Sequence, residues 1–338
     1  MTRASFRRCA LRGAGIAAIL VALAGCGGGS APMAVAIASP AKADFAGLVP
    51  VGGGRQMYLQ CSGSNRGLPT VVLISGKGNG AADWSEVLAP GDPAHGADYD
   101  ALAWGEGQLV QSDAAVFPSV ARFARVCAYD RPGVRLDGPD LSTPVAQPHA
   151  ADQDAEDLHR LLAAAGEPGP YLLVPHSYGG VVAMLMAQKW PADVSGLVMV
   201  DAVSPLIRQV ADTGQLSTWD ALNRRSFPEA PEAVMLLDAF AETDALPPMR
   251  RLPAVVLSGD KPWLRPTASA QQQSAGGVTF AEWRAMQRLL AGALDAELDE
   301  KTNSGHNIHA YSPLRVVDAI RHVAGTVAAV GESSGGGN

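Results

Sequence analysis

Apolar and polar positions along the chain fall into short blocks whose period switches repeatedly. RQMYLQC (55–61) alternates apolar with polar residues, the two-residue repeat of a half-buried strand. TVVLIS (70–75), RVCAYD (125–130), YLLVPH (171–176), GLVMVD (196–201) and PAVVLSG (253–259) are continuous apolar runs that end in small or polar residues. Runs of that length predict strands buried on both faces. Between them the spacing turns helical: SVARFA (119–124), QDAEDLHRLLAAAG (153–166, with Gly166 as a stop), TFAEWRAMQRLLAGAL (279–294) and PLRVVDAIRHVAGTV (313–327). AELDEKT (296–302) reads as a weak last strand. This alternation predicts an α/β fold: a mostly parallel central sheet with helices on both faces.

Two stretches break the rhythm. Residues 90–112 form a polar, Gly-rich insertion, and residues 203–250 mix helix and loop between two strands. Excursions at the carboxyl ends of parallel strands build lids and substrate walls, so 203–250 is expected to form a short helical cap. GGGSAPMAVAIASPAKAD (27–44) has the composition of a flexible tether, and the terminal ESSGGGN that of a disordered tail. The expected organisation is a leader over 1–25, a tether over 26–46, one domain over 47–327 and a tail over 328–338.

Composition narrows this picture. Apolar residues make up 47% of the chain, enough for a sizeable core. The net charge of -7, with no basic, aromatic-interleaved patch, argues against a nucleic-acid partner. MTRASFRR is basic, GAGIAAILVALAG is short and apolar, and Leu23-Ala24-Gly25 precedes Cys26. This resembles a bacterial lipoprotein signal. It implies loss of residues 1–25, lipidation of Cys26 and attachment of the protein to a membrane of the cell envelope. Gly27 after the cysteine resembles signals sorted to the outer membrane. The mature chain would carry about -11, since the leader holds four arginines and no acids.

The candidate chemistry centres on VPHSYGG (174–180), where an apolar strand turns sharply into an apolar helix. A serine hydroxyl there, Ser177, becomes a nucleophile only if a base takes its proton and a third group orients that base. Of seven histidines, His306 in NSGHNIH lies after the last strand, beside a glycine that lets the loop reach the sheet edge. His309 is expected to pack behind it. Two acids stand at strand ends, Asp201 and Asp260, and both give the chain order Ser, Asp, His. Order does not separate them. Asp260 is favoured because it follows the strand after the 203–250 excursion, and Asp201 is the alternative acid. The backbone N–H groups of Tyr178 and of Lys77, in ISGKGNG, are the expected oxyanion donors. Asp92, His95, Asp98 and Asp100 match no metal-binding spacing, and neither metal nor cofactor is expected. Trp84, Trp104 and Trp263 are candidates for either pocket wall or core.

VVLISGKGNGAADW, RVCAYDRPG, GPYLLVPHSYGG, VMVDAVSP and SGHNIH follow one another in that order. Over about residues 47–327 the chain resembles the α/β-hydrolase superfamily, and in particular a bacterial group of serine hydrolases. The resemblance implies cleavage of a small carboxylic ester through an acyl-enzyme, with the cap inserted between strands six and seven. Amide cleavage or perhydrolysis would use the same residues. A ligand-binding lipoprotein on a hydrolase scaffold is the non-catalytic alternative. Pro175 departs from the family's Gly-x-Ser-x-Gly pattern. The resemblance also makes the strands carrying Cys61 and Cys127 neighbours, which implies a disulfide between them in an exported chain. The oligomeric state is not legible.

Overall fold

The computed structural model describes residues 42–90, 108–136, 138–262 and 275–335, with side chains to residue 331. Among these, an eight-stranded sheet runs in the spatial order β1-β2-β6-β3-β7-β8-β9-β10. Its strands are β1 (Phe45–Gly52), β2 (Arg55–Ser62), β3 (Thr70–Ile74), β6 (Val126–Tyr129), β7 (Tyr171–Pro175), β8 (Val194–Val200), β9 (Ala254–Leu257) and β10 (Glu297–Asp299). β1 with β2 and β2 with β6 are antiparallel, and every later pairing is parallel. The short strands β4 (Glu86–Leu88) and β5 (Leu109–Gln111) pair apart from this sheet, so the far end of the polar insertion is a strand.

Alternation along the parallel strands divides the core in two. Val72, Leu173 and Met199 face one layer, while Val71, Leu172, Val174 and Val198 face the other. The first layer is covered by α2 (Ala151–Ala164), α3 (Gly179–Lys189) and α6 (Phe280–Leu294), through residues such as Leu158, Val182 and Met286. The second is covered by α1 (Val116–Ala121) and α8 (Pro313–Gly335), through Val120, Val316 and Ile320. Between β8 and β9 lie a 3-10 turn (Pro205–Gln209), α4 (Thr213–Asn223) and α5 (Leu236–Asp244). α4 and α6 each begin with a reciprocal cap, Asp212 with Gln215 and Thr279 with Glu282. α7 (Ile308–Tyr311) is a single turn before α8.

The sequence pattern and the fold differ at both ends of the domain. β1 starts at Phe45, inside the expected tether. α8 runs to Gly335 rather than stopping at 327, because VAAV carries the helical spacing of the preceding turns onward. Cys61 and Cys127 lie opposite each other on β2 and β6, with Cα atoms 4.1 Å apart, and are joined in a disulfide. Cys26 and the leader fall outside the described residues, as do Asp92, His95, Asp98, Asp100, Trp104 and Trp263. No helix among the described residues is long and apolar enough to cross a membrane.

Candidate active site

Every residue from Tyr171 to Ala183 is buried except Ser177, which is partly exposed. The turn that lifts it out is a left-handed one, with φ of +49° at Ser177. A non-glycine residue in that region is strained and persists only where its surroundings fix it. Glycines supply the room. A Cβ on Gly179 would lie 2.5 Å from the Ile74 carbonyl oxygen, and one on Gly180 would lie 2.4 Å from that of Val203. Pro175 is accommodated because β7 ends there: His176 N–H resumes bonding to Ile74 C=O at 2.8 Å, and Ser177 keeps its left-handed turn.

His306 and Ser177 face the same pocket. His306 Nδ1 is 2.7 Å from Asp201 Oδ2, and the other Asp201 oxygen accepts the Gly259 N–H at 2.9 Å. Asp201 is buried and, like Ser177, has a positive φ, +43°. The sequence-based choice of Asp260 as the partner of His306 is thereby corrected. Asp260 Oδ1 accepts the Ser304 N–H at 2.9 Å, and its own N–H donates to Ser304 C=O at 2.9 Å. Asp260 braces the loop that carries His306, whereas Asp201 meets the ring.

Two further histidines pack behind the site, their rings tilted to one another. His176 lies with its ring centroid 4.6 Å from those of both His306 and His309, and His309 packs on Trp84 at 4.8 Å. His176 Nε2 is 3.1 Å from His306 C=O; a carbonyl only accepts, so that nitrogen carries the hydrogen. Burial and the neighbouring His309 and His306 hold His176 well below the usual imidazole range. Burial, then His306, lowers His309 to about 3. Both rings are therefore neutral near pH 7. Trp84 is core rather than pocket wall, 1% exposed.

Among the described residues, neither the Lys77 nor the Tyr178 N–H donates to a protein acceptor. The direction of the Tyr178 N–H is nonetheless fixed. Its peptide partner, Ser177 C=O, accepts from Gly180 N–H at 2.9 Å and Val203 N–H at 2.8 Å, and the N–H of a trans peptide points the opposite way. The Tyr178 hydroxyl donates to Asp154 at 2.7 Å, which anchors the side chain. The pocket, about 370 Å³, is lined by Lys77, Asn79, Trp219, Asn223 and Trp283 together with Ser177 and His306. Trp283 meets His306 edge-on at 5.2 Å. The described residues contain one group with metal-ligand proximity, Cys61, Cys127 and Glu167, but its sulfurs are bonded to each other. Two buried groups at the site went unread in the sequence: Arg131, inside the RVCAYDRPG run, and Glu232.

This sheet order, with a strained serine after the fifth strand of the main sheet and a histidine after the eighth, is the arrangement of one large family. Residues 87–319 match the model of the alpha/beta hydrolase family, and the chain belongs to it. The chain is 27% identical over 200 residues to the uncharacterized protein YqjL of Bacillus subtilis, which covers 59% of this chain and 72% of that protein. It is 33% identical over 125 residues to the lipase LipV of Mycobacterium tuberculosis, 35% of this chain and 46% of that one. A match to the uncharacterized protein C23C11.06c of Schizosaccharomyces pombe, 35% identical over 100 residues, covers 30% of this chain and only 17% of that protein. Among solved structures, a bromoperoxidase from Bacillus anthracis superposes with a TM-score of 0.50 at 16% identity, over 82% of this chain and 99% of that one.

Proposed function

We propose that the protein is a serine hydrolase that cleaves carboxylic esters through an acyl-enzyme. The observation that carries this is the His306–Asp201 pair at 2.7 Å beside a partly exposed Ser177 on a left-handed turn. Asp201 accepts the Nδ1–H of His306 and so presents Nε2 as the base. Nε2 takes the Ser177 proton as Oγ attacks the carbonyl carbon. The resulting oxyanion is met by the N–H groups of Lys77 and Tyr178, the latter at the start of α3, where the helix dipole favours negative charge. The tetrahedral intermediate collapses, and His306 returns its proton to the leaving alcohol. Water then attacks the acyl-enzyme by the same route, releasing the acid and restoring Ser177.

The lipase name of the M. tuberculosis relative supports an acyl substrate. The pocket supports it too, with Val203, Leu236 and Val278 for an apolar acyl group. Lipid anchoring at Cys26, in a bacterial envelope, is part of the proposal on the strength of the lipobox-like run. Loss of the protein from the membrane fraction in Cys26→Ser tests that part. For the chemistry, p-nitrophenyl esters of increasing acyl length should be turned over by the wild type. Ser177→Ala and His306→Ala should each cut kcat by about 10³-fold or more, and combining them should cost little extra. Near-full activity in Ser177→Ala would overturn the reading.

A further inference from the structure

The loop from Ser75 to Gly80 is held by side chains that take no part in proton transfer. The Gly76–Lys77 peptide is trans, so its C=O and N–H lie in one plane and point in opposite directions. Arg131 donates from Nη1 to Ser75 C=O at 2.8 Å and from Nη2 to Gly76 C=O at 2.6 Å. Its Nε donates to Glu232 Oε1 at 2.6 Å, and Glu232 Oε2 accepts the Gly78 N–H. The Gly76 carbonyl also accepts the Asn79 N–H at 3.1 Å, a turn bond that Arg131 reinforces. Arg131 and Glu232 are 2% and 3% exposed, so the pair is shielded from water and from salt. Gly133, at φ +85°, lets Glu232 come close: a Cβ there would lie 3.3 Å from the Glu232 nitrogen. The Lys77 ammonium is tied as well, donating to Asn223 C=O at 2.9 Å.

We propose that Arg131 and Glu232 are positioning residues for acyl transfer. By drawing the Gly76 carbonyl to one side, the Arg131 fork turns the Lys77 N–H to the other side, toward the pocket. Rotation of that peptide would replace a donor with a carbonyl oxygen at the place where negative charge develops. Glu232 orients the guanidinium and pins the next peptide, so the donor is fixed from both flanks. Glu232 and Asn223 both belong to the 203–250 segment. The placement of that segment thus sets the geometry of the Lys77 donor some 150 residues earlier in the chain. The inference rests on the ester hydrolase reading above.

Two variants test it. Arg131→Leu/Glu232→Leu removes both charges and leaves neither buried alone, the change most compatible with folding. Arg131→Lys keeps the charge opposite Glu232 but loses the fork that spans two carbonyls. In whichever of them retains the wild-type thermal midpoint, kcat on a p-nitrophenyl ester should fall about ten- to hundredfold with KM little changed. Affinity for a trifluoromethyl ketone, which forms a tetrahedral oxyanion adduct on the serine, should fall by the same factor. A purely structural role would move the midpoint and leave that parallel absent. A folded variant with wild-type kcat and wild-type ketone affinity overturns the inference alone. Failure of a fluorophosphonate to label Ser177 in the wild type would remove the hydrolase reading, and the inference with it.

Discussion

The carboxylate of Asp201 approaches the ring of His306 to 2.7 Å, while Asp260, one strand further along the sheet, takes hold of the backbone of the same loop. The two acids divide the work of placing one histidine. Asp201 fixes the ring and Asp260 fixes the path of the chain. The division depends on a close crossing of loops: a Cβ on Gly259 would lie 2.9 Å from the Gly305 carbonyl oxygen.

Substituting the two acids should therefore have unequal effects. Asp201→Asn offers His306 an amide in place of a carboxylate and should lower kcat by about 10³- to 10⁴-fold. Asp260→Asn keeps an oxygen for the Ser304 N–H and should change kcat by less than about tenfold. Steady-state kinetics on one ester rank the pair, and the reverse ranking would move the orienting role to Asp260.

The serine turn should tolerate no added volume. Gly179→Ala and Gly180→Ala each drive a methyl against backbone oxygen rather than a yielding side chain. Overpacking of this kind costs about 1–3 kcal/mol. Denaturant titration should show that loss, and ester turnover should fall with it because Ser177 is displaced. Wild-type stability and turnover in both variants would contradict the packing described.

Two buried histidines should give stability opposite dependences on pH. His309 is lowered to about 3 by burial, then by His306, so between that value and about 6.5 the unfolded chain binds a proton that the folded chain refuses. Its presence costs stability as pH falls below about 6.5, by up to about 1.4 kcal/mol per pH unit. For His149, burial lowers the ring but Asp154, at 2.7 Å, more than offsets it, and the folded value lies above the ordinary one. That contribution is fully present below about 6.5 and is lost as pH rises through the folded value. Unfolding free energies at pH 5 and pH 8 should show His309→Gln flattening the acid loss and His149→Gln steepening it. Equal pH dependences in the two variants would contradict the assignment.

The Cys61–Cys127 bridge lies on the β2–β6 pair and closes a loop with a sequence separation of 66. On the chain-entropy view such a closure contributes up to about 4 kcal/mol. Cys61→Ser/Cys127→Ser should lose stability on that scale and keep wild-type kcat. Free alkylation of both thiols in denatured protein prepared without reductant would show the bridge absent.

What was legible in the sequence follows from where the physics is local. Strands β3, β7 and β8 declare themselves as apolar runs because both faces are buried, and Ser177 stands out as the polar point where such a run meets an apolar helix. His306 is legible for the same reason, as a histidine on a glycine-bearing loop after the last strand. The choice between Asp201 and Asp260 is not local. Both end apolar strands and both precede His306, and only the left-handed turn at Asp201 and the Gly259–Gly305 crossing bring one of them to the ring. Arg131 and Glu232 were hidden more deeply. They are separated by 101 positions, and Glu232 sits in an irregular stretch with no period to flag it as buried. A charged residue directly after the apolar run RVCAYD was the one available signal.

Ser177 is the group on which the proposed chemistry turns. Purified protein treated with a fluorophosphonate, digested and analysed by mass spectrometry should carry a single phosphonyl group on the peptide containing Ser177. The rate of labelling should fall by orders of magnitude in His306→Ala and Asp201→Asn. No adduct, or an adduct on another residue at an undiminished rate in those variants, would contradict the Ser177–His306–Asp201 triad.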